Sequence, residues 1–326
     1  MENYEQAIFR TIVYADIFDY PLTKSEIWHY IISDSRFLSG QLGIQKSLFE
    51  KALRNSSEKI DCYKKFYFLK NRRKLVGIRL KRLLESRKKI RLAQKITRHL
   101  GYIPTIKLIG ISGALAMQNA YKDDDIDLFI ITSKHTLWVT RFFILALLQF
   151  LGVRRTHTDL LGMNKICVNM LVDEQQMALG KNRHDLYTAH EIVQMKSLFE
   201  RDHMYQRFIQ ANEWVKKFLP NSLEIKKFRN KDIKIEKQNF LNFFFTLFEY
   251  PFRVSQILYM KKRITKEIIT NDSAAFHPFD YRLYVLSEYK KRLRYYGRSG
   301  IRQKKRLHTA PPVDGYQKNP YATLST

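Results

Sequence analysis

The sequence predicts an α/β (α+β) core with a mixed sheet, preceded by a helical region that ends in a hairpin and followed by a C-terminal helical region. Three observations predict it. Residues 106–111 (IKLIGI) and 126–131 (IDLFII) are apolar runs of strand length, separated by small residues at 112–114 and an acidic turn at 123–125. Residues 137–151 are apolar over helix length and lead into a further strand-like run, 165–172 (KICVNMLV), which is the spacing of a strand-helix-strand crossover. The chain has 326 residues, 45% of them hydrophobic, enough to build two or three cores.

The elements follow in order. Residues 4–18 read as an amphipathic helix, and Tyr20-Pro21-Leu22-Thr23 breaks it. Thr23 and Glu26 have capping-box spacing and open a second helix to about residue 32. A third helix covers 45–54, and 59–70 alternates as a hairpin, closing a first region over residues 1–75. Residues 76–104 read as a basic connecting helix. Its apolar stripe is Leu80, Leu83, Leu84, Ile90, Ala93 and Ile96, which leaves Lys81, Arg82, Lys88, Lys89 and Lys95 on the solvent side.

The core region spans 105–222 and adds helices at 185–195 and 204–218, the latter ended by Leu219-Pro220-Asn221. Residues 223–238 are a charged linker. Helices at 239–265 and 280–297 make the C-terminal helical region, 239–307, with Pro251 expected to kink or interrupt the first. The tail 308–326 combines prolines with small polar residues and is expected to be disordered.

Several function classes drop out on composition. Two cysteines, Cys62 and Cys167, are too few for a disulfide framework and lack zinc-ligand spacing, and His190-Glu191 does not continue into HExxH. The apolar runs 137–153 and 240–260 are interrupted by Arg141, Gln149, Glu249, Pro251 and Arg253, so both read as buried helices and no membrane is expected. The start, MENYEQAIFRTIVYADIF, lacks the pattern of an export signal, and the expectation is a cytoplasmic protein. The formal charge is +27, and residues 64–98 alone hold fifteen basic residues against one acidic, Glu85. A second basic group runs from Lys290 to Arg306. Such flanks favour polyanions, so nucleic acid is an expected partner, with Lys81, Arg82, Lys88 and Lys89 as its contacts. The alternative is an ordinary solvated helix face.

The chemistry concentrates at Asp125 and Asp127. Their spacing on a strand puts both carboxylates on one face, where two hard oxygen donors converge as a magnesium ion carrying a nucleoside triphosphate requires. An apolar lead, a small-residue turn containing Gly113, a spacer, and Asp-x-Asp in an apolar strand together resemble the nucleotidyltransferase superfamily of the DNA polymerase beta type.

That resemblance implies a nucleoside monophosphate moved from an NTP to a hydroxyl acceptor. Asp125 and Asp127 would be catalytic and hold magnesium or manganese, and the backbone of Ser112, Gly113 and Ala114 would bind the nucleotide. The chain departs from the pattern at Ala114, where the family has serine, and at Gln118, where a second glycine is frequent. Asn169 stands at the third site position, where a carboxylate on a later strand is usual. Asp159, Asp173 and Glu174 lie near enough in sequence to replace it.

Residues 1–75, with the phrase DYPLTKSEIW, resemble a winged helix, which implies either nucleic-acid contact through Lys46, Lys51, Arg54, Lys64 and Lys65 or an interaction module. Three readings therefore stand: an active nucleotidyltransferase, a catalytically degenerate relative that binds nucleic acid or regulates, and a small-molecule-modifying transferase. Asp159, Asp173 or Glu174 within metal-bridging reach of the aspartate pair would favour catalysis, and Asn169 alone facing the pair would favour the binding reading. Oligomeric state is open at this level.

Overall fold

A computed structural model describes residues 4–33, 45–156, 159, 162–223, 238–261, 268–269, 273–275 and 281–297. The expected linker from 224 onward and the expected disordered tail lie outside the described residues. The chain divides into two compact units, one of residues 1–79 and 281–326 and one of residues 80–280.

The first unit runs α1 (Tyr4–Asp16), β1 (Leu22–Thr23), α2 (Lys24–His29), α3 (Lys46–Asn55), β2 (Ile60–Tyr63), β3 (Phe66–Leu69), with an antiparallel sheet in the order β1-β3-β2. The capping box is present: Thr23 Oγ1 accepts from the Glu26 N–H at 3.3 Å, and Glu26 accepts from the Thr23 N–H at 2.8 Å. Two orphan donors at the start of α2 are thereby satisfied. Glu26 also pairs with Arg79 at 2.7 Å, and Arg72 pairs with Asp16 at 2.9 Å and Asp19 at 2.7 Å. Part of the basic stretch is thus spent inside the fold.

The helix α4 (Lys74–Leu100) leads into the second unit: β4 (Ile106–Ile111), α5 (Gly113–Ala116), β5 (Ile126–Thr132), α6 (Leu137–Phe150), β6 (Ile166–Asp173), α7 (Leu186–Gln194), β7 (Lys196–Glu200), α8 (Met204–Ala211), α9 (Gln238–Lys261), β8 (Ile268–Ile269) and β9 (Ser273–Ala275). These strands form one mixed sheet in the order β7-β4-β5-β6-β9-β8, in which β5 and β6 are parallel and the other pairs antiparallel. The parallel pair is joined through α6, as a crossover requires. Ile109, Ile111, Leu128, Ile130 and Leu171 from the strands share a core with Ala93, Ile96 and Leu100 of α4 and Trp138, Ile144 and Leu148 of α6. On the other face Phe129 meets Phe208 of α8, ring centroids 5.1 Å apart.

Three expectations need correction. The C-terminal helices do not form one region. Glu249 of α9 accepts from the N–H groups of Trp138 and Val139 at 2.8 and 3.0 Å, capping α6 in the second unit, whereas α10 (Tyr281–Gly297) packs in the first, where Arg292 pairs with Asp16. Pro251 lies inside α9 without ending it. The helix expected over 204–218 stops at Ala211, because Asn212 turns its amide to the carbonyls of Met177 and Phe208 at 2.8 and 3.0 Å, and a 3-10 turn follows.

The third correction concerns α4. Leu80 and Leu84 are 39% and 58% exposed, and the inward stripe of the second unit instead begins with Arg82, Ser86 and Lys89, which are 5%, 0% and 2% exposed. Long side chains can bury apolar stems when their charged heads find acceptors, and here the acceptors are in the loop before β5.

Candidate functional site

The loop from Asn119 to Asp125 delivers the aspartate pair, and α4 holds it. Arg82 donates to Asn119 Oδ1 at 3.1 Å and to the Tyr121 hydroxyl, with its guanidinium 3.9 Å from the centre of the Tyr121 ring. Ser86 Oγ accepts from the Ala120 N–H at 3.0 Å, and Lys89 Nζ donates to the carbonyls of Lys122 and Asp124 at 2.9 and 2.6 Å. Two of the four residues expected to contact nucleic acid are therefore internal anchors. Lys81 and Lys88 remain at the surface, Lys88 paired with Glu85 at 2.9 Å.

Asp127 lies in β5 and Asp125 just before it. The Ser112 N–H donates to the Asp127 carbonyl at 3.2 Å, joining the small-residue turn to the strand. Gly113 has φ +61°, and a Cβ there would stand 3.5 Å from Asp127 Oδ2, so the turn presents bare backbone to the carboxylate. Ala114 follows in α5.

The pair has a third neighbour that the sequence reading did not select. In the parallel register Asp127 stands opposite Cys167, and the ligating atoms of Asp125, Asp127 and Cys167 all lie within 4.8 Å of one another, each residue half-buried. Beyond that pair β6 carries one extra residue: Leu128 is opposite Val168 while Phe129 is opposite Met170. Asn169, the expected third site position, is that extra residue, buried two positions beyond Cys167.

Burial pushes the Asp127 carboxyl well above the usual range, with Asp125 and Glu191 adding to the rise and Arg155 opposing it. Burial raises the Cys167 thiol too, reinforced by Asp127 and Asp125. Asp124 is pushed up to about 6, chiefly by burial, against the hydrogen bond its carboxylate accepts from the Tyr121 N–H at 2.7 Å.

Glu191, on α7, is raised by burial to about 7. It acts on Asp127 as a like charge; among the described residues the group of converging ligands at the pair is Asp125, Asp127 and Cys167, without Glu191. The substitutes weighed from sequence do other work. Asp159 accepts from Thr156 N and Oγ1 at 2.7 and 3.0 Å. Asp173 is opposite Thr132, at the far end of β5, and accepts from the His135 and Gln175 N–H groups at 2.6 and 2.9 Å. Glu174 accepts from the Lys134 N–H at 3.1 Å.

Arg155 completes the arrangement with an ion pair to Asp125. Sequence offered a weak signal for Glu191, a lone acid among the apolar residues Ile192 and Val193 of α7, and none for Arg155, which follows α6 in an irregular segment.

Family models, characterised protein sequences and solved structures were compared with this chain, and none matches it.

Proposed function

We propose that this chain is a divalent-metal-dependent nucleotidyltransferase that moves a nucleoside monophosphate from an NTP to a hydroxyl acceptor. The observation that carries the reading is the convergence of Asp125, Asp127 and Cys167, whose ligating atoms lie within 4.8 Å of one another, beside the bare backbone turn at Gly113.

The residues present fit a hard cation. Two of the three converging side chains, Asp125 and Asp127, offer hard carboxylate oxygens, a donor set that suits magnesium or manganese. Those two residues would hold the ion, which when bound supplies charge neutralisation at the phosphate oxygens. The half-buried backbone of Ser112, Gly113 and Ala114, which at Gly113 lies against Asp127, would bind the triphosphate beside them. Glu191 takes the proton of the acceptor hydroxyl as its oxygen bonds to the α-phosphorus and the bond to the departing pyrophosphate breaks. A carboxylate with a pKa near the working pH is suited to that transfer.

The N-terminal unit, read as a winged helix by its helix-strand-helix-helix-strand-strand order, is assigned to acceptor or partner binding. The outer side of α4, where Lys81, Lys88, Arg91, Lys95 and Arg98 are exposed, favours nucleic acid as that partner. We place the protein in the cytoplasm on the same footing; no helix among the described residues is long and apolar enough to cross a membrane.

The reading is tested by equilibrium binding of a fluorescent NTP with manganese to the wild type and to the double variant Asp125→Asn, Asp127→Asn. Metal-dependent binding lost in the double variant is the expected result. Equal binding by both proteins would overturn the assignment.

A further inference from the structure

The Asp125 carboxylate is already engaged, and by a residue outside the motif. Arg155 donates to it from a side chain that is 37% exposed, while the Asp125 side chain is 18% exposed. The backbone of Arg155 is fixed, because its N–H donates to the Ile166 carbonyl at 3.0 Å and Arg154 bridges to Ile166 beside β6. Only the side chain is free to swing. Its place is shaped by Gly162: a Cβ on that residue would come within 2.6 Å of Arg155 Nη1 and 2.9 Å of the Asp125 backbone nitrogen. Any larger residue would displace the guanidinium from the pair.

Asp125 cannot give the same oxygen fully to a guanidinium and to a cation. When an ion takes the carboxylate, a planar cationic fork is released within side-chain reach of that ion, and in the proposed reaction the group arriving with the ion is a triphosphate. Guanidinium donors match phosphate oxygens in spacing and charge, and an arginine freed beside a polyanion has a new partner at no cost in unpaired charge.

We propose that Arg155 is a phosphate-binding residue of this site, held in reserve on Asp125 and transferred to the triphosphate when a divalent ion displaces it. The inference rests on the nucleotidyltransferase reading. It makes Arg155 a competitor of the metal alone and a partner of the metal–phosphate complex.

Those two roles predict opposite responses to one substitution. Calorimetric titration of the whole chain with manganese alone, and with inorganic tripolyphosphate in saturating manganese, separates them without any turnover. In Arg155→Gln, manganese alone is expected to bind about threefold to tenfold more tightly, since a competing cation is gone. Tripolyphosphate is expected to bind about tenfold or more weakly, since a charge-assisted hydrogen bond is lost. Arg155→Lys, which keeps the cation and perturbs the fold least, is expected to fall between wild type and Arg155→Gln in tripolyphosphate binding, and it carries the test should the glutamine variant fail to fold. Tripolyphosphate affinity unchanged in both variants, or manganese and tripolyphosphate affinities falling together, would overturn the proposal while leaving the transferase reading in place. A wild type that binds neither manganese nor tripolyphosphate would overturn both.

Discussion

Replacing Glu191 with glutamine should make the protein more stable and less active, and the stability gain should depend on pH in a defined direction. Burial raises the Glu191 carboxyl from an ordinary value of 4.5 to about 7. A carboxyl whose folded pKa exceeds its unfolded one binds its proton more tightly in the native state, so ionising it costs folding free energy. That cost is absent below about pH 4.5, grows between there and about pH 7, and is full above it. At about 1.4 kcal/mol per pKa unit the shift corresponds to about 3 kcal/mol as an upper bound, and partial access of water to a half-buried residue reduces this to about 1 to 3 kcal/mol.

Glutamine keeps the shape and removes the charge. Urea denaturation should therefore find Glu191→Gln more stable than wild type by about 1 to 3 kcal/mol near pH 8, with the difference shrinking toward zero near pH 5. Transfer activity should fall by about 10²- to 10⁴-fold, the usual worth of a general base. A variant no more stable than wild type at either pH, or one that retains full transfer activity, would refute the assignment of Glu191.

Three other outcomes follow from the geometry. Lys89→Met removes the ammonium shared by the carbonyls of Lys122 and Asp124, and should cost about 1 to 3 kcal/mol in urea denaturation while speeding hydrogen exchange in residues 119–125; unchanged exchange there would mean the anchor does not hold the loop. Gly113→Ala puts a side chain at φ +61° against the Asp127 carboxylate, and should cost about 1 kcal/mol and weaken NTP binding, a loss that wild-type affinity in the variant would contradict. If nucleic acid is a partner, Lys81→Gln with Lys88→Gln should lower the salt slope of its binding by up to about 2, whereas Arg82→Gln should lower the stability of the fold; an unchanged slope in the double variant would make the outer face of α4 only a solvated surface.

The helices and strands that carry the site were legible because their periodicity is strong. The capping box at Thr23, the apolar strand around Asp127 and the crossover through α6 each follow from residue type and spacing alone. What sequence could not show depended on tertiary partners. Arg82 and Lys89 look like solvent-facing cations on any helical wheel, and only the loop carbonyls and the Tyr121 ring explain why they point inward. Asn169 was chosen as the polar residue at mid-strand, whereas the residue opposite Asp127 in the parallel register is Cys167, a pairing that no local pattern gives. Glu191 lies on a helix 64 positions from Asp127, and no local pattern links an acid on α7 to a strand brought beside it by the packing of α7 against α5.

Incubation of the protein with each NTP in turn, labelled at the α-phosphate, with magnesium or manganese and a mixed pool of nucleic acid, protein and metabolites, tests the central claim most directly. Label should move to one acceptor class with release of pyrophosphate, and Asp125→Asn with Asp127→Asn should abolish the transfer. No label moved from any of the four nucleotides, or transfer undiminished in the double variant, would contradict a nucleotidyltransferase built on these two aspartates.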